Sequence, residues 1–444
     1  MRRRLAVSML ALLVLQSVPV AAQETPECFG RPATITGTDG HDVIRGTDDD
    51  DVIVSGDGAD YVLAKGGDDL VCAGPGRQVH YDEEWQEYTY DGDSVEGGPG
   101  NDRIDGGPDL NELSGGSGDD LLLGHDDGDN LSGDDGNDTI EAAEGHNTVY
   151  GGDGADAITS GAGDDELSAG RGDDRVTAGA GDDEVFPMQG HDTSDAGEGH
   201  DMLNLFWESC DGWCFSSHRR DLDVDLVAGF ANGMGNDMIA GYEDVWGGSG
   251  SDVIRGDDGP NLLSAEDDQG EGDAPNVLDG RGGDDRLVSG EGDDEISGGD
   301  GRDELSFTSN VWRVRVDLRA GTVTGGTSDT ISGIEDVSAA SGGVLIGDDG
   351  PNRLEAFYGA DVVRGGGGDD EISGGSHGDT LKGGPGHDVL SGGARHDSLR
   401  GGTGDDVLDG GKGENSNHGG PGTDACARPG PGEGAVACES EAPP

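Results

Sequence analysis

Gly97–Asp105 reads GGPGNDRID, Gly106–Ser114 reads GGPDLNELS and Gly115–Leu123 reads GGSGDDLLL. The nine-residue frame continues unbroken through GHDDGDNLS, GDDGNDTIE, AAEGHNTVY, GGDGADAIT, SGAGDDELS, AGRGDDRVT, AGAGDDEVF and PMQGHDTSD to AGEGHDMLN at Ala196–Asn204. Position six is Asp in ten of these twelve units and Asn at Asn111 and Asn147. Position eight is aliphatic in every unit but one, where it is Ser194. Glycine accepts the left-handed dihedrals of a tight turn and lets neighbouring backbones approach closely. Positions seven to nine make a short strand with one large inward side chain, such as Ile104, Leu122 or Ile158. A three-residue strand cannot stand alone. Two nine-residue halves therefore make one coil, and coils stack in parallel about 4.8 Å apart. The predicted fold is all-β, a right-handed parallel β-roll or β-helix solenoid.

The same frame recurs outside this block, at Gly37–Cys72, Gly247–Ser264, Glu271–Ser306 and Gly347–Ala427. The expected organisation follows: a signal peptide at 1–22, an N-terminal roll block at 23–75, an acidic aromatic loop at 76–96 and the main roll at 97–204. Next come an insert at 205–246, a roll at 247–306, a second insert at 307–346, a C-terminal roll at 347–427 and a tail at 428–444. The inserts are related: DLVAGFANGMGNDMIAGYEDV from Asp225 resembles DLRAGTVTGGTSDTISGIEDV from Asp317. Alternating Leu222, Val224 and Leu226, and Trp312, Val314, Val316 and Leu318, predict strands. Wider β-helical coils without calcium are expected there.

Composition narrows the function. The chain has 444 residues, with 89 Gly, 95 acidic and only 26 basic residues, for a net charge of -69. Such a charge repels phosphate, so a nucleic-acid partner is excluded. The aliphatic core is thin, so something else must supply stability. That something is expected to be calcium, because the turns offer carboxylates and backbone carbonyls, the hard oxygen ligands that Ca²⁺ prefers. Mg²⁺, which demands tighter octahedra and keeps its waters, is the weaker candidate.

The expected side-chain ligands are the position-six aspartates. In the first block they are Asp42, Asp51, Asp60 and Asp69. The main roll supplies Asp102, Asp120, Asp129, Asp138, Asp156, Asp165, Asp174, Asp183, Asp192 and Asp201. Asp252, Asp285, Asp294, Asp303, Asp361, Asp370, Asp379, Asp388, Asp397 and Asp406 continue the rows. Asn261, Asn276 and Asn352 are expected to hydrogen-bond in place of a charged ligand.

The nonapeptide GGxGxDxUx, matched in full by GGSGDDLLL at Gly115 and GGTGDDVLD at Gly401, resembles that of the RTX or haemolysin-type calcium-binding repeat family. The resemblance covers about Thr36 to Ala427. It implies a calcium-binding parallel β-roll in which position-six Asp and turn carbonyls hold the ions between turns on one edge. One departure is the N-terminus. Three arginines within Met1–Arg4, an apolar run from Leu5 to Val20 and small residues at Ala21 and Ala22 read as a Sec-type signal cleaved after Ala22, whereas many RTX proteins use a C-terminal export signal. The mature chain is expected to be secreted, with no transmembrane segment.

Cys28, Cys72, Cys210, Cys214, Cys426 and Cys438 fit export as disulfides. Nearest-neighbour pairing is the preferred connectivity among fifteen. A zinc site at Cys210, Cys214 and His218 is the weaker reading.

No HExxH, GxSxG or P-loop is present, so no catalytic residue is assigned and the chain is read as a non-enzyme. The leading function is a calcium-binding structural or surface-associated protein. The alternatives are an adhesin or polysaccharide binder using Tyr81, Trp85, Tyr88 and Tyr90 or Trp207 and Trp213, and a uronate-polymer lyase or epimerase. An extracellular glycan or cell-surface partner is therefore possible on sequence grounds. Arg313, Arg315 and Arg319 stand out as a basic patch whose expected partners are surrounding acids.

Overall fold

The computed structural model describes residues 25–75, 80–82, 87–89, 92–205, 221–233, 235–248, 250–265, 274–290, 292–307 and 314–427. The signal segment, Trp85, Tyr90, Trp207, Cys210, Trp213, Cys214, His218, Arg313 and Cys438 lie outside them.

Successive nonapeptides alternate between two parallel sheets that run along the chain. In the main roll the first sheet stacks Arg103–Asp105, Leu121–Leu123, Thr139–Ala143, Ala157–Ser160 and Arg175–Ala180. The second stacks Ser94–Pro99, Glu112–Ser117, Asn130–Asp135, Thr148–Asp153 and Glu166–Arg171. The register places Ile104 beside Leu122 and Leu113 beside Leu131, so each residue lies over its equivalent one coil later. One coil is thus two nonapeptides, as the period implies.

The position-eight side chains form the core. Ile104, Leu122 and Ile140 stack from one sheet, and Leu113, Leu131 and Val149 from the other, all essentially inaccessible to solvent. The single core cluster they share reaches from Ile44 to Leu408. It is a ribbon one side chain deep per sheet, so each unit buries little apolar area for the backbone it orders.

Glycine is required where coils touch. Gly118 has φ +134°, a left-handed conformation that side chains disfavour, and a Cβ there would collide with the carbonyl oxygen of Gly100 in the preceding coil.

The inserts are not wider coils, and this corrects the sequence expectation. Asn236–Ala240 pairs parallel to Thr193–Glu198 of the preceding coil. The sheet then continues through antiparallel Phe230–Asn232 and antiparallel Asp223–Asp225, which pairs parallel to Val253–Arg255 of the following coil. Ser328–Ser332, Thr322–Thr324 and Arg315–Asp317 repeat this meander. On the opposite sheet Met202–Asn204, Asp244–Trp246 and Leu262–Ser264 follow one another directly. Each insert therefore lengthens one sheet by two strands, roughly 10 Å. Alternation alone could not distinguish these strands from another parallel coil. The short turns at Leu226–Gly229 and Leu318–Gly321 reverse the chain instead.

At the N-terminal end Glu27–Cys28 and Arg31–Pro32 form a small antiparallel pair. Cys28 is disulfide-bonded to Cys72 and packs with Val52 and Leu70 in a small separate cluster. Cys426 is also disulfide-bonded. His80–Asp82 and Glu87–Thr89 form a two-stranded antiparallel ribbon in the aromatic segment.

Candidate metal centre

The turn between strands directs position six inward along two edges of the solenoid, where the carboxylates form hydrogen-bonded ladders. The backbone N–H of Asp102 donates to Oδ1 of Asp120 at 2.7 Å, Asp120 donates to Asp138 at 2.7 Å, and Asp138 donates to Asp156 at 2.8 Å. This edge runs through Asp51, Asp69, Asp102, Asp120, Asp138, Asp156, Asp174 and Asp192. The other edge links Asp42, Asp60, Asp93, Asn111, Asp129, Asn147, Asp165, Asp183 and Asp201 in the same manner. After the first insert, Asp252, Asn276 and Asp294 form one ladder, and Asn261, Asp285 and Asp303 the other. In the last block Asp361, Asp379 and Asp397 lie on one edge, with Asn352, Asp370, Asp388 and Asp406 on the other.

Each ladder uses one oxygen of the carboxylate. The second is buried without a hydrogen-bond partner in Asp60, Asp69, Asp102, Asp120, Asp129, Asp138, Asp156, Asp174, Asp183, Asp192 and Asp201. The same holds for Asp252, Asp285, Asp294, Asp303, Asp361, Asp370, Asp379, Asp388, Asp397 and Asp406. A buried, unpartnered carboxylate oxygen is costly. Its repetition at one position of a repeat makes these oxygens the candidate row for a cation.

Backbone oxygens converge on the same places. A Cβ on Gly97 would lie 2.5 Å from Asp102 Oδ2 and 2.5 Å from the carbonyl oxygen of Gly115 in the next coil. A Cβ on Gly133 would meet Asp138 Oδ2 and the Gly151 carbonyl, each also at 2.5 Å. Among the described residues no group of three or more His, Cys, Asp or Glu side chains is gathered for a metal. The donor set is accordingly one carboxylate per turn together with turn carbonyls. These hard oxygens fit Ca²⁺, which accepts six to eight oxygen ligands in flexible geometry.

The electrostatics agree. Burial pushes the Asp102 carboxyl up to about 7; the Asp69 N–H pulls the other way, and the charges of Asp120 and Asp69 add to the rise. Asp138, Asp174 and Asp192 are likewise raised to about 7, first by burial and then by neighbouring acids. A divalent ion would reverse both effects by supplying an opposite charge.

Three expected ligands differ from the rest. The second oxygens of Asp42 and Asp51 already accept from the backbone and hydroxyl of Thr38 and Thr47, respectively. Asp165 Oδ2 accepts from the hydroxyl of Ser160. The asparagines hydrogen-bond as expected. Asn276 Oδ1 accepts from the Asp252 N–H at 2.9 Å, while the amides of Asn261 and Asn352 donate to the carbonyls of Glu243 and Glu335.

Several ladder members escaped the sequence reading. Asp93 continues the second edge, and both it and Asp424 leave Oδ2 buried and unpartnered. Asp237 and Asp329 accept from the N–H groups of Asp192 and Asp294. Glu243 and Glu335 end ladders by accepting from Asp201 and Asp303. The signal for Asp237 and Asp329 was present: NGMGNDMIA at Asn232 and TGGTSDTIS at Thr324 hold Asp at position six and Ile at position eight. Of the Arg313, Arg315 and Arg319 patch, the described members do pair with acids, Arg315 with Asp317 and Arg319 with Asp349.

The chain belongs to the RTX calcium-binding nonapeptide repeat family, whose repeat matches residues 36–71, 89–122, 123–158, 132–167, 159–194, 168–203, 245–269, 272–305, 343–372, 373–394 and 391–425. Together these segments span more than half of the sequence. The family defines a calcium-binding structural repeat rather than a catalytic unit. Compared with curated proteins, the chain matches none.

Proposed function

We propose that this chain is a secreted protein that folds to completion on binding calcium along both solenoid edges and then serves as a structural or surface-associated element. The observation that carries the reading is the row of buried, unpartnered Oδ2 atoms, repeated from Asp60 to Asp406. Asp102, Asp120, Asp138, Asp156, Asp174 and Asp192 would hold ions on the first edge together with turn carbonyls such as those of Gly115 and Gly151. The bound cation supplies the positive charge that lets these carboxylates lie side by side. Asn111 and Asn147 interrupt the second edge, so its ions would be fewer or weaker.

Secretion is supported by the Sec-type segment Met1–Ala22 and by the Cys28–Cys72 disulfide, which suits an oxidising compartment. No helix among the described residues is long and apolar enough to cross a membrane. Extracellular calcium sites commonly bind at about 10⁻⁴–10⁻³ M, so folding would wait for export. The test is calcium titration of the chelated mature protein followed by far-UV circular dichroism, with magnesium as control. A cooperative gain of strand signal with calcium alone is expected. A spectrum already fully folded in chelator and unchanged by calcium would refute the reading.

A further inference from the structure

The last roll block carries a feature that calcium binding leaves unused. The strand register stacks Arg364 beside Lys382, Lys382 beside Arg400, and Arg400 beside His418 on the outer face of one sheet. All four side chains are exposed. Among the described residues none of them takes part in an ion pair, whereas Arg171, Arg255, Arg281, Arg302 and Arg353 each hold a carboxylate. Three uncompensated cations in a row, Arg364, Lys382 and Arg400, are unexpected in a chain with a net charge of -69.

The surroundings keep the row free. The outward residues two positions earlier on the same strands are Val362, Thr380, Ser398 and Ser416, none of them acidic. On the other side lies an open groove of about 510 Å³, lined by Lys382, Arg400 and His418, by paired glycine backbone, and by Pro385, Thr403 and Pro421. No carboxylate lines it. The acids of these coils sit in the turns, where the position-six aspartates are buried, or on the opposite sheet, as Glu371 and Asp409 do.

We infer that this groove binds a linear carboxylated polysaccharide, with one acidic sugar ring per coil. Adjacent cations are one strand spacing apart, about 4.8 Å, close to the length of one pyranose ring. The arginine forks and the lysine are suited to carboxylates. The glycine floor and the two proline rings offer a flat, shallow surface for sugar faces. Single-stranded nucleic acid would need broad aromatic platforms for its bases, and no Phe, Tyr or Trp lines the groove. The net negative charge opposes any polyanion at long range, so recognition rests on contact rather than steering.

The test uses the calcium-loaded mature chain and a galacturonic acid hexamer, measured by isothermal titration calorimetry. Comparison ligands are the fully methyl-esterified hexamer and a polyphosphate of equal charge. Binding of the acidic hexamer alone is expected, weakened by added salt and about tenfold weaker in the Lys382→Gln/Arg400→Gln variant, the scale of losing charge-assisted contacts. Circular dichroism of the same samples separates loss of fold from loss of binding. The inference is overturned by any of four results: no binding to the folded chain, equal binding of the ester, equal binding of polyphosphate, or undiminished binding by the variant. The last would assign attachment to calcium bridging at the acidic edges.

Discussion

Asp102 and Asp120 are joined by a 2.7 Å hydrogen bond from the backbone N–H of the first to Oδ1 of the second, and Oδ2 of Asp120 is buried with no partner. The two oxygens of one carboxylate therefore do different work. One fixes the coil spacing and the other, under the proposed function, would bind a cation, so substitutions can separate them.

Asp120→Asn keeps an oxygen acceptor for Asp102 but removes the charge. The Asp120 carboxyl is raised to about 6, chiefly by burial, so neutralising it should stabilise the calcium-free fold by on the order of 1 kcal/mol after allowance for solvent screening. It should also weaken calcium binding at that coil. Asp120→Ala removes the ladder bond as well and should destabilise both states. Urea unfolding with and without calcium separates the variants. Identical behaviour of the two would contradict the division of labour.

The pH response follows from the same burial. Asp174, Asp285 and Asp370 are raised from 3.8 to about 7, burial being the largest cause. A carboxyl with a raised folded value binds protons that the unfolded chain releases, so calcium-free stability falls as pH climbs from about 4 to about 7. The calcium-free protein should thus show more strand signal near pH 5 than near pH 8. Apparent calcium affinity should change in the opposite sense, falling as protons compete for the same oxygens. A calcium-free chain that gains structure on alkalinisation would show that another term dominates.

The period of nine made much of this legible. It located the turn at Gly115–Asp120, the core side chain at Leu122 and the pairing of two units into a coil. Asp237 and Asp329 were hidden because Asn232 and Thr324 replace the first glycine of their units. The antiparallel meanders were hidden because Val224 and Val316 alternate with polar residues just as a parallel strand would. Asp165 looked like its neighbours, yet its second oxygen is taken by Ser160, which stands at position one of the same unit in place of glycine. The row formed by Arg364, Lys382 and Arg400 and continued by His418 emerges only at twice the repeat length, once the coil is known to contain two units.

Position four should be less tolerant than position two. Gly136 has φ +151°, and a Cβ there would collide with the carbonyl oxygen of Gly118. Asp134 already occupies a left-handed conformation, φ +72°, and its carboxylate accepts from the hydroxyls of Ser114 and Ser132 at 2.6 and 2.8 Å. Gly136→Ala should cost about 1–3 kcal/mol. Asp134→Gly should be near neutral, the relief of strain offsetting the lost hydrogen bonds. Thermal melts of the calcium-loaded variants give the comparison, and equal loss in both would contradict it.

The N-terminal end depends on a different constraint. The Cys28–Cys72 bond closes a sequence separation of 44 residues around a small cluster of Cys28, Val52 and Leu70 that the main core does not include. Next to it, Asp42 and Asp51 have their second oxygens taken by Thr38 and Thr47, so calcium should contribute less in these first coils. Replacing both cysteines by serine should therefore cost about 3–4 kcal/mol locally through the freed loop. It should raise the calcium needed to order the first block while leaving the main roll's midpoint in place. Hydrogen exchange resolved along the chain reads both regions at once. Protection should fall over 35–72 and persist over 102–203. Uniform loss along the solenoid would mean that the coils fold as one cooperative unit, and unchanged protection at the N-terminal end would assign its stability to the ladders alone.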